Sequence, residues 1–136
     1  MRIFLDANVL FAAAATDGVV RRLMRELREA GHECWLDTYV LDETRRNLAA
    51  KRPSALPDLD RLVGELAVAE ASPNLPVPVA AQVLPLKDQP VLAAAMRLGC
   101  TALVTGDRAH FGPFYGQTLG GVAIHYPRSL AAALLS

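Results

Sequence analysis

The feature that most constrains this chain is the rhythm of its apolar runs. Four short stretches are apolar almost throughout: RIFL from Arg2 to Leu5, HECWL from His32 to Leu36, TALVT from Thr101 to Thr105, and GVAIH from Gly121 to His125. Between them lie longer segments whose apolar residues recur at helical spacing. A strand apolar on both sides must be covered on both faces, as parallel strands crossed by helices are. The pattern predicts an α/β fold: one doubly wound, Rossmann-like parallel sheet flanked by helices and spanning residues 1–136. In such sheets ligands bind beyond the carboxyl ends of the strands, where the strand order reverses.

The helices follow from the same reading. Val19, Val20, Leu23, Met24 and Leu27 share one side of a segment over 19–30, with arginines on the other. Asp17 is placed to cap it and Gly31 to stop it. Further helices are expected over 39–51, 59–69, 90–98 and 129–135. The Pro-rich stretch from Ser72 to Pro85 reads as a loop, short strand or short helix packed on the domain.

Composition narrows the class. Of 136 residues, 52% are hydrophobic, which excludes a disordered chain. The 14 basic and 14 acidic residues cancel, which argues against coating nucleic acid by bulk charge. A carboxylate-rich site beside a basic rim would give the same balance, so a nuclease is not excluded. Cys34 and Cys100 fit no metal spacing and read as buried free thiols. Asp6 and Asn8 interrupt the only signal-like stretch, and no membrane-length apolar run exists, so the expectation is a cytoplasmic protein.

Two strand ends carry acids. Asp6 closes the first strand, and Asp107 follows TALVT. If these strands are neighbours at the switch point, both carboxylates face one crevice. Asp88 opens the helix before TALVT, and Glu43 lies on the helix after the second strand. Glu43 shares its side with Val40 and Asn47, whereas Asp42 lies nearer Arg45 and Arg46 on a solvated side, so Glu43 is the candidate. Each acid alone has an ordinary reading: a helix cap at Asp6 or Asp88, a Gly-Asp turn at Asp107, a surface position at Glu43. Together they would repel strongly unless protons or a cation offset the charge. An all-oxygen set suits Mg²⁺ or Mn²⁺.

The segments LDANVL, KDQPVLAAAMRLGC and LVTGDRAHF, with the Glu43 helix between them and GVAIHYPRSL at the end, resemble the PIN-domain family. These are small α/β ribonucleases whose acidic quartet binds a divalent metal. The likeness is strongest to VapC-type toxins of bacterial toxin–antitoxin pairs. It implies a PIN-type fold, with Asp6, Glu43, Asp88 and Asp107 as catalytic metal ligands. It implies supporting roles for Asn8 and Thr105. Arg108, Ala109 and His110 follow Asp107 where some relatives carry a further acid, so one firmly held ion is expected and at most a weak second.

The resemblance further implies RNA as substrate, a homodimer and a small antitoxin partner. Arg46, Lys87 and Arg108 adjoin site acids and are candidates for the substrate groove. Trp35, Tyr115 and Tyr126 are candidates for stacking on bases, with Trp35 expected in the core. His110 reads as a capping or core-edge residue, and His32 and His125 receive no role. Two alternatives stand beside the ribonuclease: a catalytically silent PIN-like module that binds RNA or protein, and an aspartyl-nucleophile domain built on Asp6. Asn8 disfavours the last, since many aspartyl phosphatases carry an acid at that place.

Overall fold

A computed structural model describes residues 1–135 of the chain. Strand β1 (Arg2–Leu5) leads into helices α1 (Ala7–Ala15) and α2 (Val19–Glu29), then β2 (Glu33–Asp37). Helices α3 (Thr38–Lys51) and α4 (Leu56–Val63) precede β3 (Ala67–Ala69). Helix α5 (Gln89–Arg97) leads to β4 (Ala102–Val104), and strands β5 (Thr118–Leu119) and β6 (Val122–His125) precede α6 (Pro127–Leu135).

The six strands form one sheet in the order β3-β2-β1-β4-β6-β5. The first five are parallel, as expected; β5 adds an antiparallel edge against β6. Strand order reverses between β1 and β4, where Leu5 pairs with Val104. Ile3, Phe4, Leu5, Leu103 and Val104 are buried, as central strands with both faces covered must be. Among the described residues no helix is long and apolar enough to cross a membrane.

Three expectations need correction, over 59–69, at Asp17 and at Trp35, and two elements were not anticipated. The stretch 59–69 is not one helix: α4 ends at Val63, a turn follows Gly64, and 67–69 joins the sheet beside β2. Leu66 kept the helical spacing because its half-buried side chain still packs on the core. Asp17 does not cap α2; Gly18 holds that position with no side-chain bond. Residues 7–15 form a helix, and the chain reverses between β5 and β6 at Gly120 and Gly121, both with positive φ. A two-residue hairpin loop of this kind requires such glycines. Trp35 is half-buried rather than core, with the Arg2 guanidinium 4.6 Å above its ring.

Cys34 and Cys100 are buried and unpaired. Burial pushes both thiols up to about 11, so they stay protonated at neutral pH.

Candidate active site

The reversal point places two side chains next to each other. The Asp6 N–H donates to the Val104 carbonyl (3.1 Å), so Asp6 and Thr105 leave adjacent strands in register. The Asp6 carboxylate caps α1, accepting the Ala7 N–H at Oδ1 (2.8 Å). Its Oδ2 accepts the Thr105 hydroxyl (2.8 Å) and, weakly, the Asn8 amide (3.4 Å). Asn8 ties the two strand ends together: its Oδ1 accepts the Gly106 N–H (2.7 Å) and its Nδ2 donates to Thr105 Oγ1 (3.3 Å). A Cβ on Gly106 would stand 3.3 Å from Asn8 Oδ1, so this close approach favours glycine. The Tyr115 hydroxyl donates to the Thr105 carbonyl (3.0 Å) and braces the same strand end. Its ring pairs with that of Tyr126, centroids 5.1 Å apart.

Asp6, Glu43, Asp88 and Asp107 line one crevice of about 200 Å³. Asp42 is exposed and outside it. Glu43 reaches the crevice from α3, whose first turn is capped by Asp37 through the Val40 N–H (3.1 Å). Asp88 stands at the start of α5 but makes no side-chain cap bond there. That disposes of its ordinary reading as a helix cap. Asp107 receives the backbone N–H of His110 at Oδ1 (3.1 Å), and its own N–H donates to Thr105 Oγ1 (3.1 Å).

The electrostatics are those of crowded, desolvated carboxylates. Asp6 is 6% exposed. Burial, with Glu43 and Asp88 adding like charge, pushes its pKa up to about 6 against the pull of the Thr105 and Ala7 hydrogen bonds. Burial likewise raises Asp88, with Asp107 reinforcing the shift and His110 opposing it. Asp88 Oδ2 is buried and lacks a hydrogen bond of good geometry, although His110 Nδ1 stands 2.7 Å away. A buried carboxylate oxygen without a well-formed hydrogen bond, facing further acids, is suited to a cation.

Of the three basic residues expected near substrate, Lys87 lines the crevice. Arg46 and Arg108 are exposed and outside its lining. Sequence reasoning missed Phe11, Asn47 and Lys51, which complete the wall. Glu43, Asn47 and Lys51 recur every four residues along α3, a spacing visible in the sequence. It also missed His110, whose Nδ1 stands 2.7 Å from Asp88 Oδ2 and 3.1 Å from Asp107 Oδ2.

A doubly wound α/β domain with a carboxylate crevice at its switch point is the class that fold and site define. A PIN-domain family model matches residues 2–109, a stretch that holds all four acids, and the chain belongs to that family. Thirteen chains of solved structures match it. One is in the crystal structure of VapBC2 from Rickettsia felis bound to a DNA fragment from their promoter. It superimposes with a TM-score of 0.67 at 13% identity, over 93% of this chain and 98% of that one. At that identity the likeness is one of fold. No curated protein sequence matches the chain.

Proposed function

We propose that this chain is a divalent-metal-dependent endoribonuclease, residues 1–136 forming one catalytic domain, and that it is the toxin member of a toxin–antitoxin pair. The observation that carries the reading is the convergence of Asp6, Glu43, Asp88 and Asp107 on one crevice. These four carboxylates would hold Mg²⁺ or Mn²⁺, whose preferred ligands are oxygens. Such an ion supplies Lewis-acid stabilisation of phosphoryl charge and a more acidic water.

The chain's own residues do the rest. Thr105 and the Ala7 N–H hold the Asp6 carboxylate in one orientation, and Asn8 locks the two strand ends that carry Asp6 and Thr105. A crevice carboxylate orients the attacking water in line with the leaving oxygen and accepts its proton. Lys51 and Lys87, at the wall, offset the repulsion between a polyanion and an acidic crevice.

Partners enter by likeness. The R. felis structure is of a VapBC2 complex on promoter DNA. On that model this chain works in the cytoplasm, as a homodimer held inactive by a small antitoxin. The test is incubation of total RNA with the purified chain and Mg²⁺ or Mn²⁺, sequencing the new ends, with Asp107→Asn as control. Metal-dependent cleavage lost in the control supports the reading. RNA bound but left intact by the native chain overturns it in favour of a silent binding module.

A further inference from the structure

The residue that fits none of the roles above is His110. Asp107 to His110 forms a single tight turn, with the Phe111 N–H donating to the Asp107 carbonyl (3.1 Å) and the Phe111 ring fully buried. That anchor fixes the imidazole on the same side as Asp107, three residues away. Its Nδ1 lies between Asp88 Oδ2 and Asp107 Oδ2, yet it is buried with no hydrogen-bond partner, as is Asp88 Oδ2. Both contacts are short, yet neither has the geometry of an imidazole N–H donating to a carboxylate oxygen. Asp88 itself is 7% exposed, so water is a poor substitute partner. One ligand atom from each of Asp88, Asp107 and His110 falls within 4.8 Å of the other two, a span a single ion bridges.

We propose that His110 Nδ1 is a direct ligand of the divalent ion, together with Asp88 and Asp107, and that this nitrogen makes the centre prefer Mn²⁺ over Mg²⁺. The inference rests on the metal-dependent reading above and adds to it a nitrogen ligand that the acidic quartet lacks. Imidazole is a good ligand for first-row transition ions, whereas Mg²⁺ favours oxygen ligands and retains its waters. An imidazole bound to an ion is a neutral ligand, so the trio would carry less negative charge than a set of three acids.

The test uses the untagged full chain loaded with Mn²⁺ and pulsed electron paramagnetic resonance. The expected result is a coupling from one directly bound ¹⁴N, lost in His110→Asn and kept in His32→Asn. Titration of both ions should show Mn²⁺ affinity falling about tenfold or more in His110→Asn, with Mg²⁺ affinity changing less. Bound Mn²⁺ with no nitrogen coupling in the native chain, a measurement that needs no variant to fold, overturns the ligand assignment and leaves the four-acid site standing. Nitrogen coupling without RNA cleavage supports His110 and overturns the ribonuclease reading. Failure to bind Mn²⁺ at all overturns both.

Discussion

The acidic crevice at the carboxyl ends of β1 and β4 is not the roomiest hollow on the molecule. A groove of about 560 Å³ lies between α2, β2 and α4 and carries Arg21, Arg25, Arg28 and Arg61. Its charges are largely matched. Asp58 pairs with Arg21 and Arg61, Arg28 with Glu65 (2.8 Å), and Arg21 also donates to the Ala13 and Ala14 carbonyls. The crevice is less than half that volume and holds four carboxylates. A groove whose charges are paired is already satisfied by its own fold. A crevice with four carboxylates against one imidazole and two lysines is left with an excess of negative charge for a cation to offset. Volume alone points to the groove, and excess charge points to the crevice.

The contrast predicts opposite responses to the same kind of substitution. The largest effect is on catalysis. Asp6→Asn, Glu43→Gln, Asp88→Asn and Asp107→Asn should each slow RNA cleavage by roughly 10²–10³-fold, since a Lewis-acid ion contributes several kcal/mol. Asp58→Asn, in the groove, should leave the rate within about twofold, because the two ion pairs it removes lie outside the crevice. A single-turnover assay with Mg²⁺ or Mn²⁺ in excess measures both.

Stability should move the other way. In metal-free protein Asp6 has a pKa raised from 3.8 to about 6, chiefly by burial. Its charged form therefore weakens the native state at pH 7, and stability returns as pH falls through 6 toward 4. A rise from 3.8 to about 6 corresponds to a ceiling of about 3 kcal/mol. Asp6→Asn should raise stability in chelator by up to that amount and remove this part of the pH dependence. Asp58→Asn should lower stability by less than about 1 kcal/mol. Urea unfolding at pH 7 and pH 5 reads both signs. Adding ion at about 1,000 times its Kd should stabilise the native chain by about 4.1 kcal/mol, more than that ceiling, and reverse the order of native chain and Asp6→Asn.

The smallest effect concerns the rim. Lys51→Ala and Lys87→Ala should each reduce the slope of log affinity against log salt for single-stranded RNA by about 0.7. Arg46→Ala and Arg108→Ala, outside the crevice, should leave it unchanged. Filter binding across a salt series distinguishes the two pairs.

Much of this was legible in the sequence because the information is local. RIFL and TALVT are buried strands that read as such, and the rule that ligands gather where strand order reverses turned their terminal acids into candidates. Helix α1 was not legible, because ANVLFAAAA is apolar nearly all round and shows no helical periodicity. Strand β3 hid inside a helical pattern that Gly64 should have ended, and β5 is only two residues long, betrayed by the Gly120-Gly121 pair alone. In the site, Glu43 was separable from Asp42 by helix face, since Val40 marks the buried side. His110 was not separable from an ordinary histidine. Its place depends on the burial of Phe111 and on Asp88, a residue from another element whose position no spacing reveals.

The measurement that tests the central claim most directly is calorimetric titration of Mn²⁺ into metal-free protein, native and in the four single variants Asp6→Asn, Glu43→Gln, Asp88→Asn and Asp107→Asn. Convergence of the acids on one ion predicts a saturable site in the native chain whose affinity falls in all four variants, while Asp58→Asn binds as the native chain does. Native-like affinity in any of the four, or no binding by the native chain, would contradict it.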